Sequence, residues 1–257
     1  MKVAFWSSAG RPDSAAYSMA AVGSLLSMVY QCEVVLGSNY ISNIMLQDCF
    51  SGKISEKGVS GQPFRYYYGT LDYYRELWEQ KEKRQGNIVE IPMPGVTILY
   101  PPDAADKEMF YYQTDSQTMY LLDTAGEHYT TSETALEEAD LIVAFLPQEE
   151  TAIQNFFEQY TRYLPKTMLV IENYHKKNRI SLRSIDLRYG TKRWKNAIIP
   201  YDNEFIRACE NGRLEMFLRD NRNCSTQNSH FYFMSNLLQL TERLYDCKRR
   251  KDKGGAG

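Results

Sequence analysis

The apolar and polar positions of this chain alternate in blocks. Lys2 to Trp6 (KVAFW) reads as a short buried strand, and Ser14 to Tyr30 (SAAYSMAAVGSLLSMVY) carries small and apolar residues at helical spacing. Cys32 to Ser38 (CEVVLGS) is a second apolar run, placed where the parallel strand after a crossover helix belongs. Residues 41–50 predict a short helix, the polar, Gly-rich stretch from Ser51 to Pro63 a mobile loop, and Leu71 to Gln85 a charged amphipathic helix. Further strands are predicted at Val96 to Tyr100, Met119 to Asp123, Leu141 to Leu146, Thr167 to Glu172 and Ala197 to Ile199. Helices are predicted at Thr131 to Ala139, Glu149 to Tyr163, Ile180 to Tyr189, Glu204 to Asn211 with Gly212 at its end, and Phe231 to Tyr245.

Strands alternating with helices imply an α/β fold: a doubly wound, mostly parallel sheet with helices on both faces. Such sheets bind ligands beyond the carboxyl ends of their strands. A chain of 257 residues is long enough for one such domain. The expectation is a single domain over residues 1–247, followed by a basic, disordered tail over residues 248–257 (KRRKDKGGAG).

Composition narrows the classes. A net charge of -2 gives no global attraction to nucleic acid, and no nucleic-acid signal is present otherwise. Five scattered cysteines without a CxxC pair suggest neither a disulfide framework nor a zinc site, so a reducing, cytoplasmic setting is expected. No run of apolar residues is long enough to span a membrane. The three histidines accompany no nucleophile-elbow pattern, which argues against covalent hydrolysis.

The stretch from Phe5 to Met19 (FWSSAGRPDSAAYSM) sits where a phosphate-binding loop would. Such a loop needs glycines for close backbone approach, a Lys at the β/γ-phosphates and a Ser/Thr hydroxyl on magnesium. Here Pro12 lacks an N–H and Asp13 repels anions. Arg11 and a helix N-terminus still attract an anion, and Ser14 is placed either to contact one or simply to cap the helix.

The strand-loop-helix opening resembles that of the ParA/MinD family of deviant-Walker ATPases. Laid on the family's KGGxGKT-type loop, Ala9 falls at the signature lysine, Gly10 at the first glycine, Ser14 at the phosphate lysine and Ala15 at the magnesium hydroxyl. Losing two lysines removes about 3–6 kcal/mol of phosphate binding, at about 1.5–3 kcal/mol per charged hydrogen bond. The most specific resemblance is MYLLDTAGEHYTTSETALEEADLIVAFLP, Met119 to Pro147, which is similar to the family's Walker B strand and following segment. It places Asp123 where a carboxylate approaches magnesium, with Thr124 to Tyr129 as a switch-like loop. MLVIENYHKKNRIS places Asn173 at the adenine-facing asparagine, and the Ile-Pro of AIIPYDNEF places Pro200 at the family's closing motif. No Asp stands between Val34 and Tyr40, where the family holds its switch I carboxylate.

The resemblance implies a nucleotide site at Gly10, Arg11, Ser14, Asp123, Asn173 and Pro200, in vestigial or weakened form. No catalytic residue is expected beyond a vestigial Asp123, no metal ligand set is expected, and ATP or ADP with magnesium is the cofactor if one is retained. It further implies a homodimer, protein partners within a larger assembly, and, by analogy with the TadZ/CpaE-like branch, a role in placing pili or secretion machines. A weak ATP/ADP-binding switch with residual ATPase activity is the first alternative, and an adaptor with a peripheral membrane contact through the last helix and basic tail is the second. The cluster of Lys176 to Arg179 with Lys192 and Arg193 is either a solvated loop or an anion or partner site.

Overall fold

A computed structural model describes residues 1–7, 12–38, 49–50, 88–90, 96–99, 118–124, 129–191 and 195–254, with the side chains of 12–14, 38, 88–90, 96–99, 129–132, 134 and 254 left aside. Strand β1 (Lys2–Ser7) leads to helix α1 (Pro12–Tyr30), β2 (Val34–Ser38), β3 (Ile88–Glu90), β4 (Val96–Leu99) and β5 (Met119–Asp123). Helix α2 (Tyr129–Glu138), β6 (Leu141–Pro147), α3 (Glu150–Gln159), a 3-10 turn (Thr161–Lys166) and β7 (Thr167–Tyr174) follow. The chain closes with α4 (Leu182–Tyr189), β8 (Asn196–Pro200), α5 (Asn203–Glu210), α6 (Leu214–Asn221) and α7 (Phe231–Gly254).

The eight strands form one sheet in the order β3-β4-β2-β5-β1-β6-β7-β8. All described pairings are parallel except the short antiparallel β3–β4 edge. The expected doubly wound, mostly parallel sheet is therefore present. Strand side chains alternate between faces. Val3, Phe5, Val143 and Phe145 face the core under α1, α5, α6 and α7. Ala4, Trp6, Ile142 and Ala144 face the core under α2, α3 and α4. Both faces being buried explains why the central strands read as unbroken apolar runs.

Helix α1 is sandwiched so tightly that its small residues are required. Ala15, Ala16, Ala20 and Ala21 are fully buried, and a Cβ on Gly23 would stand 2.7 Å from Leu36 Cδ2. The helix begins at Pro12, whose fixed φ suits a first helical position.

Several boundaries differ from the sequence expectation for identifiable reasons. The helix read from Glu149 to Tyr163 ends at Gln159 and gives way to a 3-10 turn, because Pro165 withholds an N–H and disfavours α geometry at Leu164. Helix α6, in a segment for which the sequence pattern predicts no element, follows Gly212 (φ 65), which ends α5 and lets the chain restart as a second short helix.

The tail boundary at 247 is corrected. Helix α7 continues through Lys248 to Gly254, where Lys248 is buried and paired with Asp252 at 2.8 Å, and Lys251 binds Asp140 Oδ2. Burial alone would raise the Asp140 carboxyl, but the Lys2 N–H and the Lys251 ammonium outweigh it and hold it below its ordinary value. Only residues 255–257 of the tail lie outside the described residues, as do the loop Ser51 to Pro63 and the helix Leu71 to Gln85; of residues 41–50, Cys49 and Phe50 are described and helical. Among the described residues, no helix is long and apolar enough to cross a membrane, and the cysteines are unpaired.

Candidate functional site

Parallel strands place all their carboxyl ends on one edge of the sheet, and β1 lies at its middle, flanked by β5 and β6. Strand β1 ends and α1 begins at that edge, so the N–H groups at the start of α1 face it. Ser7, the last residue of β1, is buried on the α1 side, and its hydroxyl has no hydrogen-bond partner among the described residues.

Asp123 ends β5 at 1% exposure, opposite Phe5 on β1 and Ser38 on β2. Its neighbour Thr124 is fastened to β1, donating from both N (2.9 Å) and Oγ1 (3.1 Å) to the Phe5 carbonyl. On the other side of β1, Asn173 sits near the end of β7 with φ 50, a left-handed conformation that asparagine tolerates better than most residues. This kink produces a register shift between Glu172 and Tyr174, and brings Tyr174 opposite Pro200 at the buried end of β8. Adjacent strands are about 4.8 Å apart, so Asp123 and Pro200, four strands along, span roughly 19 Å of edge.

Of the residues singled out in the sequence, Asp123, Asn173 and Pro200 therefore share one edge. Ser14 lies in the first turn of α1 on the same edge, its side chain outside the description. Gly10 and Arg11, residues 125–128 of the switch-like loop, and Lys192 and Arg193 lie outside the described residues.

The edge also holds groups that the sequence reading passed over. Glu172 is 1% exposed at the end of β7, between Pro147 and Ile199 of the adjoining strands. Its signal was a charged residue closing an otherwise apolar run. Gln148 follows β6 and clasps the loop after β7: its side chain accepts from His175 N (2.8 Å) and donates to the carbonyls of His175 (3.2 Å) and Ile180 (2.6 Å). Asn178 Nδ2 returns a bond to the Gln148 carbonyl at 3.2 Å. Gln148→Ala is expected to destabilise the fold by about 1–3 kcal/mol, since each net hydrogen bond contributes about 0.5–1.5 kcal/mol. Hydrogen exchange should speed up at 175–180 first; unchanged protection there would contradict the clasp.

Beyond β8, Asp202 caps α5 by accepting from Glu204 N and Phe205 N, both at 3.0 Å. His230, just before α7, places Nδ1 2.7 Å from Asp202 Oδ2 and Nε2 3.0 Å from Glu204 Oε2. Burial depresses the imidazole's proton affinity, but the two carboxylates outweigh it and raise its pKa above the ordinary value. The clamp holds the starts of α5 and α7 together at the site edge.

Ala15, which the family resemblance lays on the magnesium hydroxyl, is a methyl group with 0% exposure, and among the described residues no three His, Cys, Asp or Glu side chains cluster to hold a metal.

No family model matches the chain, and no curated protein matches it in sequence. Its fold, an open, mostly parallel sheet with β1 leading into α1 at its centre, is similar to that of MinD and ParA ATPases of known structure. The MinD of the Aquifex aeolicus MinC:MinD cell division complex superposes with a TM-score of 0.65 at 14% identity, covering 96% of both chains. A ParA family ATPase from Chlorobium tepidum gives 0.61 at 13% identity over 95% of this chain and 98% of that one. The Pyrococcus furiosus cell division ATPase MinD gives 0.64 at 12% identity, again over 95% and 98%.

Proposed function

We propose that this chain is a ParA/MinD-type positioning or regulatory module that has lost ATPase activity, acts as a homodimer and works within a larger protein assembly. We infer a role in placing pili or secretion machines from the resemblance to the TadZ/CpaE-like branch. The observation that carries this reading is Ala15. A side chain locked in the core at the first turn of α1 offers no oxygen to a cation, and Ser14 offers no ammonium to a phosphate. The fold shared with the MinD of a MinC:MinD complex supports a role in protein assembly.

A second reading, a weak ATP/ADP switch, is favoured by the start of α1 facing the edge where Asn173 and Pro200 also lie. A Borrelia burgdorferi putative plasmid partition protein of this fold (TM-score 0.59, 13% identity) is described as bound to AMPPNP.

Thermal unfolding with millimolar ATP or ADP, with and without magnesium, separates the two. A ligand at 100 times its dissociation constant adds about 2.7 kcal/mol to the folded state. The expected result is an unchanged melting temperature and no phosphate release. A clear upward shift would overturn the inactive reading in favour of the switch.

A further inference from the structure

Between His175 and Gly190 the chain carries Lys176, Lys177, Arg179, Arg183 and Arg188 against a single acid. That acid, Asp186, is turned into the fold, where Thr191 donates to it at 2.7 Å and Asn196 donates as well. The neighbouring Glu150 is engaged by Arg188. A basic face thus survives on α4 and the loop before it.

The face is not uniformly polar. A groove of about 200 Å³ runs between α3 and α4, lined by Ile153, Ile185 and Tyr189 with Arg179, Arg188 and the Arg188-paired Glu150. Further round α4, past Ser184 of the groove lining, Leu187 is 78% exposed, the most exposed of the large apolar side chains described. Leu187 and Arg183 are four apart on one helix and share a face. The surface is also rigid before any partner arrives. Gln148 clasps the loop, a reciprocal Ser181–Ser184 capping box starts α4, Gly190 in the left-handed conformation ends it, and Tyr189 stacks on Phe157 at 3.9 Å.

We propose that this face docks an acidic, amphipathic segment of a protein partner, with one apolar contact in the α3–α4 groove, another on Leu187, and carboxylates on Arg179, Arg183 and Arg188. Arginine pairs with carboxylates through two parallel bonds, which suits a rim of this composition. The Arg188–Glu150 pair is solvent-exposed on both sides and gives way at little cost. An apolar groove and a bare leucine amid the cations favour a peptide over a nucleic-acid backbone, which would leave both unfilled. The surface lies on the α2–α4 side of the sheet, and its occupancy is independent of whether nucleotide binds at the strand ends.

Fluorescence anisotropy with the full chain tests this. The probe is a labelled helical peptide of glutamates with leucines at i, i+3, i+4 and i+7; its leucine-to-serine counterpart and a single-stranded oligonucleotide are the comparisons. The leucine peptide is expected to bind about tenfold more tightly than either, the scale of one or two charged or apolar contacts. Leu187→Asp, and separately Arg183→Glu with Arg188→Glu, should each weaken it about tenfold, at unchanged melting temperature for the exposed Leu187. Lys253→Glu, the same charge change at the far end of α7, should leave it unaltered. Equal binding of the serine peptide, tighter binding of the oligonucleotide, no binding at millimolar peptide, or indifference to both sets of variants would each overturn the proposal.

Discussion

Leu240→Ala is expected to destabilise the protein by about 2–5 kcal/mol, the range for deleting a buried leucine side chain and leaving part of its cavity. Leu240 is at 0% exposure in the middle of α7, with Phe233, Met234, Leu237 and Leu244 of the same helix buried around it. This stripe packs onto α1 and β8, so removing one member exposes a void in the largest apolar cluster. Urea denaturation would read the change as a lower midpoint at unchanged slope. A loss below about 1 kcal/mol would mean that α7 is not docked as described. The result bears on function, because an amphipathic helix that ends in KRRK invites a membrane reading. The same apolar side chains cannot lie in a bilayer and in this core together, so membrane attachment through α7 would require the helix to leave the sheet. Its basic end is also partly neutralised within the fold, by Asp140 and Asp252.

Asp202→Ala is expected to cost about 2–5 kcal/mol, combining a helix N-cap of about 0.5–2 with a charged hydrogen bond of about 1.5–3. The larger part depends on pH. His230 has a raised pKa in the folded state, so the imidazolium's contribution is fully present below the unfolded value near 6.5 and is lost as pH rises through the folded value. The groups facing the imidazole are Asp202, Glu204 and the edge-on ring of Phe217, whose centroid is 5.2 Å away. Glu204 is 70% exposed, which makes Asp202 the dominant partner. The difference in unfolding free energy between the wild type and Asp202→Ala should therefore be largest below the ordinary imidazole value near 6.5 and shrink towards the capping contribution as pH rises through the raised folded value. A difference that stays flat across that window would remove the charged pair from the account and leave the cap alone.

Much of the fold was legible because parallel strands buried on both faces must be short, apolar and β-branched, as in LIVAFLP and TMLVIENY. Strand β5 and the starts of β6, β7 and α7 fall where the pattern puts them. The boundaries that moved did so where one residue overrides a pattern, as Pro165 does after α3 and Gly212 does between α5 and α6. Helix α7 ran past its expected end for a different reason. KRRKDK has no apolar periodicity and reads as a tail, yet Asp140, more than a hundred residues earlier in sequence, is positioned to receive Lys251.

The site divides along the same line. Asp123, Asn173 and Pro200 could be singled out because each closes a recognisable strand. The clasp of Gln148 and the Asp202–His230–Glu204 clamp could not, since their partners are up to 32 residues apart and carry no local spacing signal. By itself the sequence determined the alternation of strands and helices and the absence of lysine between β1 and α1. Tertiary structure alone decided that Ala15 is sealed in the core, that the apolar stripe of α7 faces the sheet, and that Arg179 and Arg188 line an open groove. The reason is physical: periodicity and residue type are local properties, while burial and charge pairing are fixed by which distant segments the sheet order brings side by side.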